Sequence, residues 1–117
     1  MAEFSRGHLS ASTSGRPVPV VATASTGTTI HTAIAGAALF DSMFLWATNA
    51  SGASATLTLE WGATGTGNKL CDAVNIPPNG VPKLIADGQT LNGGVLVTAF
   101  SSVASAINLT GYVDQIR

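Results

Sequence analysis

An antiparallel β-sandwich of seven or eight short strands, jelly-roll or immunoglobulin-like, is the fold this sequence predicts, with an extended N-terminal arm in front of it. Three observations carry the expectation. Apolar and polar residues alternate with period two in several runs, most clearly in ATLTLEW (55–61). Turn chemistry recurs at spacings of about ten residues. No run keeps the 3.6-residue period of an amphipathic helix over a useful length. The 117 residues suit one domain with a single hydrophobic core.

Residues 1–16 are polar, rich in Ser and Gly, and without periodicity, so they read as an arm outside a sandwich domain spanning 17–117. PVPVVATA (17–24) carries prolines at 17 and 19, which suits an edge strand or a strand entrance. TTIHTAIA (28–35) places Ile30, Thr32 and Ile34 on one face and His31 on the other. In LFDSMFLWATN (39–49), Met43, Leu45 and Ala47 alternate with Phe44, Trp46 and Thr48. Both faces of that run are apolar, which predicts a central strand covered by core on one side and by a neighbour on the other. In the next run Leu57, Leu59 and Trp61 point inward while Thr56, Thr58 and Glu60 point out.

The segment NIPPNGVPKLIADGQTLNGG (75–94) holds three prolines and three Asx-Gly pairs. Asn79-Gly80 and Asp87-Gly88 offer the positive-φ residues of tight hairpin turns. Between them lies a short strand, VPKLIA, and Asn92-Gly93 releases the chain into VLVTAF (95–100). A last run, AINLTGYVDQI (106–116), sets Ile107, Leu109 and Val113 against Asn108, Thr110 and Asp114.

Composition narrows the function classes. Charged residues make up only 9% of the chain, against roughly 25% in ordinary soluble domains. Ala, Thr, Gly and Ser together supply 56 of the 117 residues. With a mean hydropathy of +0.35 and a net charge of −1, such a surface predicts burial by partners, in the first place by copies of the chain itself. A face bearing Phe44 and Trp46, or its counterpart on the last strand, is the expected contact. Three Arg and two Lys, no two adjacent, argue against nucleic acid, which needs clustered cations. No apolar run approaches the 18 or so residues of a membrane helix. The start lacks the apolar core of a signal peptide, so synthesis in a reducing cytoplasm is expected. Cys71, the single cysteine, reads as a small buried hydrophobe.

No catalytic chemistry is legible. GATGTGNK (62–69) lacks the Lys-Ser/Thr pair that a phosphate loop places after its last glycine, and reads as a loop joining two strands. His31 lies in a strand and His8 in the arm, each without a visible orienting acid. The carboxylates are scattered, with no metal-ligand spacing. No enzyme, metal or cofactor is therefore expected. Trp46 and Tyr112, out of phase with the core, are the only pair able to form a sugar-stacking platform.

The C-terminal third, IPPNG…LIADGQTLNGGVLVTAFSSVASAINLTGYVDQI (Ile76 to Ile116), resembles small β-rich virion proteins of tailed bacteriophages. In these a Pro-Asn-Gly turn, a "DGQTLNGG" hairpin and a closing "A-x-N-L-x-G-Y-V" strand recur. The resemblance implies a structural role on the particle: a capsid decoration or cement protein, or else a tail, baseplate or fibre-associated one. Its partners would be the major capsid protein or a tail component, and it would assemble as a homo-oligomer, a trimer if it decorates a capsid. The rival reading is a carbohydrate-binding β-sandwich module. The expected adhesive residues are Phe4, Arg6, His8, Leu9 and Arg16 of the arm, with Trp46 on the body. The arm would lie in a groove of a neighbouring protein, with Phe4 and Leu9 in apolar pockets, or fold back on its own domain. In the first case, deleting residues 1–14 would leave a folded sandwich.

Overall fold

The structure, a computed structural model, describes residues 4–79 and 81–116, with the backbone alone described at Phe4 and Ile116. Met1, two of its neighbours, Gly80 and Arg117 lie outside the described residues. Among the described residues nine strands form: β1 (Phe4–His8), β2 (Val18–Pro19), β3 (Thr28–Thr32), β4 (Phe40–Asn49), β5 (Ala55–Gly62), β6 (Lys69–Ile76), β7 (Lys83–Leu91), β8 (Leu96–Ser101) and β9 (Ile107–Ile116). They make two antiparallel sheets packed as a β-sandwich. One sheet runs β1-β9-β4-β7 with β2 also on β9, and the other runs β3-β8-β5-β6.

The pairing follows a simple rule. Strands of the first half meet their counterparts in the second: β1 pairs with β9, β3 with β8, β4 with β7 and β5 with β6. The chain thus runs out and back as one long antiparallel pair, whose tip is the GATGTGN loop. That pair is rolled up, so that β9 also reaches β4 and β8 also reaches β5. Rolling brings the period-two apolar faces together between the sheets. Ile30, Met43, Leu45, Ala47, Leu57, Leu59, Val97, Ala99, Ile107 and Leu109 are fully buried there. Closure also demands a glycine. Gly111 faces inward opposite Leu45, and a Cβ at that position would clash with the Phe44 carbonyl oxygen.

The alternation read in 39–49, 55–61 and 106–116 matches β4, β5 and β9. β4 is a central strand, with Asp41, Met43, Leu45, Ala47 and Asn49 buried and the residues between them half-buried. Other expectations need correction. The segment 75–94 makes no hairpins, because β6, β7 and β8 are not hydrogen-bonded neighbours. The links on either side of β7 carry the chain between sheets, and the expected Asn79-Gly80 turn lies partly outside the described residues. Asp87-Gly88 is not a turn: Met43 pairs with Gln89 and Phe44 with Asp87, which leaves Gly88, at φ 86, as the extra residue of a β-bulge. Glu60 points away from the core yet is buried, because Ser25 and Gly65 of the covering loops hydrogen-bond its two oxygens.

The N-terminal segment also differs from an arm outside the core. β1 pairs with β9 over Phe4–His8, and Leu9 is 2% exposed within the core. Of the two expectations for this segment, folding back on its own domain is what the described residues do.

Candidate functional site

Two side-chain constellations stand out. The first lies on the outer face of the sheet β1-β9-β4-β7, where residues out of phase with the core line up across strands. Opposite pairs in the register are Phe44–Tyr112, Trp46–Thr110 and Ser42–Asp114 between β4 and β9, and Arg6–Asp114 between β1 and β9. The Phe44 and Tyr112 rings stack with centroids 4.9 Å apart, and Trp46 is 5.9 Å from Tyr112. From the opposite strand, Arg6 lies 4.1 Å over the Tyr112 ring. Its guanidinium also grips the Asp114 carboxylate through Nε at 2.8 Å and a second nitrogen at 3.2 Å. That hydrogen bond holds the Asp114 carboxyl below its usual range and raises the Arg6 value. On the far side Phe44 covers Gly88, where a Cβ would come within 3.4 Å of the ring. One row of contacts therefore crosses all four strands, from Arg6 through Tyr112 and Phe44 to Gly88. Leu84, opposite Trp46 on β7 and 45% exposed, extends the apolar face.

This row decides where the expected adhesive residues go. Trp46 stands out of phase with the core, and the register brings it beside Tyr112. Arg6 is engaged with Asp114 and Tyr112 of its own chain. His8 is exposed opposite Tyr112, and its ring packs beside Gly15. Arg16 is exposed in a turn closed by Ser12, whose hydroxyl donates to the Arg16 carbonyl. Leu9 is in the core and offers no surface to a partner. The Phe4 side chain lies outside the described residues.

The second constellation was not foreseen. His31, read as outward-facing, is 3% exposed. A bulge at Ile30, which lacks a partner between Thr29 and His31, turns both residues inward. The His31 Nε2 is 2.8 Å from Oδ2 of Asp41, which also accepts the Ile34 N–H. On the other side, Nδ1 accepts the backbone N–H of Ser10 at 3.0 Å and lies 2.8 Å from the Ser10 hydroxyl. A backbone N–H can only donate, so Nδ1 carries the lone pair and Nε2 the proton. The Thr32 N–H in turn donates to Ser10 Oγ. Asp41 is fully buried, and its Oδ1 has no hydrogen-bond partner among the described residues. The residues lie 21 and 10 positions apart, so no spacing motif could show them. The one available signal was a lone carboxylate, Asp41, inside an otherwise apolar strand. Among the described residues no group of three or more His, Cys, Asp or Glu is placed to hold a metal.

A cavity of about 220 Å³ opens on the outer face of the other sheet, lined mainly by Thr23, Thr56, Thr58, Asp72, Phe100 and Ser102. Its hydroxyls are partly spent. Thr58 accepts the Ala73 N–H and Ser102 the Thr56 N–H. No family model, curated protein or solved structure matches the chain.

Proposed function

We propose that the protein is a non-enzymatic structural protein of a phage virion, a decoration or cement protein that adheres through the outer face of the sheet β1-β9-β4-β7. The observation that carries this reading is the row of stacked rings on that face. Phe44, Tyr112 and Trp46 stand out of phase with a core that is already complete, on a chain with almost no charge to keep surfaces apart. Strand order adds support. With the two-residue β2 set aside and the other strands renumbered in sequence, the sheets run 1-8-3-6 and 2-7-4-5, an order that favours a jelly roll over an immunoglobulin fold. Jelly rolls are frequent in viral shells. The resemblance of Ile76–Ile116 to small virion proteins points the same way. Attachment through an arm loses support, since Leu9 and Arg6 are used internally.

The carbohydrate-binding rival is weakened by the same geometry. Arg6 and Phe44 reach Tyr112 from the two strands that flank it and engage its ring within the chain, which leaves Trp46 for a sugar. Light scattering on the purified chain tests the adhesive reading. A stable multimer is expected at micromolar concentration, dissociating when Trp46 and Leu84 are both changed to Ser with the β signature intact. A monomer that also fails to bind phage shells would overturn the reading.

A further inference from the structure

The relay of exposed Ser10 with buried His31 and Asp41 has no part in adhesion. We propose that Ser10 is an activated nucleophile that accepts one acyl group per chain from an activated ester.

Each component of nucleophile activation is present. Ser10 is exposed at the end of β1. Its hydroxyl oxygen lies 2.8 Å from His31 Nδ1, whose lone pair the Ser10 N–H holds at rest, and the hydroxyl also reaches the Thr32 carbonyl oxygen at 3.3 Å. The imidazole is held in that tautomer by Asp41, itself fully buried. The ring nitrogens are used in the opposite sense to a serine protease, with serine on Nδ1 and aspartate on Nε2, but the roles are the same. A purely mechanical tie accounts for the Ser10 N–H on Nδ1 and for the Ser10 hydroxyl on Thr32. It uses Asp41 only as the acceptor for Ile34 N–H and His31, a task that an uncharged amide oxygen could also perform. A fully buried carboxylate with one oxygen unpartnered is costly, and an asparagine could accept from His31 without burying charge. A negative charge at that place has a use when the imidazole becomes cationic, which happens only if it takes a proton.

The proton would come from Ser10. As Oγ bonds to the carbonyl carbon of the ester, its proton moves to Nδ1, and Asp41 balances the imidazolium. Nδ1 can accept it only if the Ser10 N–H gives up that lone pair, which leaves a free amide donor beside the carbon whose oxygen has become negative. Collapse breaks the bond to the alcohol, which departs with the proton from Nδ1, and the acyl group remains on Ser10. His31 is almost closed to solvent, so water has little access to Nδ1 and the acyl group is retained. The event is stoichiometric. Ser10 and His31 are the reacting groups, and Asp41 is a positioning residue.

4-Nitrophenyl acetate is the probe. The full chain should release one equivalent of nitrophenolate in a burst and carry one acetyl group, mapped to Ser10 by peptide mass spectrometry. Ser10→Ala should abolish the burst, and Asp41→Asn should slow it by about 100-fold or more. If Asp41→Asn fails to fold, the pH profile of the natural chain decides. A rate that reaches a plateau marks activation by a base of the folded chain, whereas a rate that climbs with hydroxide without a plateau would overturn the proposal. So would acetylation confined to lysine, histidine or the amino terminus, or acetylation of Ser10 no faster than in the urea-unfolded chain.

Discussion

Arg6 and Tyr112 are neighbours across the β1–β9 pair, with the guanidinium 4.1 Å over the ring. Arg6 binds Asp114 in the same pose. A segment with almost no apolar side chains, SRGH, is held to the sheet by this one residue together with the backbone ladder. Arg6→Ala is therefore expected to speed hydrogen exchange of the β1 amides by roughly 2- to 5-fold, leaving β4 and β5 unchanged. Equal protection of β1 in both proteins would show that the stack contributes nothing.

The same pair sets a pH dependence. Arg6 lowers the Asp114 value in the folded chain, so the unfolded chain takes up that proton first as pH falls. The contribution of the pair is present above the ordinary carboxylate range and is lost as pH drops through the lowered folded value. Melting points of the natural chain and Arg6→Ala should therefore converge on acidification. A gap that stays constant from neutral to strongly acidic solution would contradict the assignment.

Leu9 is 2% exposed, and Leu9→Ala should cost about 2–5 kcal/mol. That corresponds to a fall in melting temperature of roughly 10–20 °C. Deleting residues 1–14 removes both Leu9 and β1, so the truncated chain should be destabilised at least as much. A truncated sandwich that melts like the full chain would restore the reading of a dispensable arm.

Glycines separate sharply. Gly111→Ala would drive a Cβ into the Phe44 carbonyl, parting β4 from β9 at the middle of the sheet, and should prevent soluble folding. Gly7 faces open space, and Gly7→Ala should change the melting temperature by no more than a few degrees. Soluble, natively melting Gly111→Ala would refute the β4–β9 register.

Burial pushes the Cys71 thiol above its ordinary value. At mildly alkaline pH it should react with iodoacetamide more slowly than free cysteine, and equally fast once the chain is unfolded in urea. Reaction at the free-cysteine rate in the folded chain would place Cys71 at the surface.

Legibility followed local regularity. β4, β5 and β9 were visible because a clean period of two survives in them. β6 went unread: KLCDAVNI carries a residue at positive φ, Ala73, and register shifts along β5, which break the alternation. β1 went unread because its stability comes from Asp114 and Tyr112, more than a hundred positions away. Asp87-Gly88 misled because one dipeptide suits a turn and a bulge equally well. His31 was assigned to the wrong face because a bulge shifts phase by one residue, and only the partner strand records the shift. Trp46 and Tyr112 were recognised as out of phase, but their contact depends on a register that no single strand encodes.

The out-and-back pairing constrains how a ribosome can deliver this molecule. β9 is the last of the nine strands to be made, and it is the neighbour of β1, β2 and β4. While it is still in the exit tunnel, the first half of the chain has only β5–β6 and its outward neighbours to close on. β1 and β2 have nothing to pair with. Leu9 and Val18 must therefore stay uncovered until β9 has emerged, and the pair then zips from the Gly62–Gly67 tip toward both ends. Codons that slow synthesis just ahead of β9 would lengthen that exposure, and chaperone demand should rise with them.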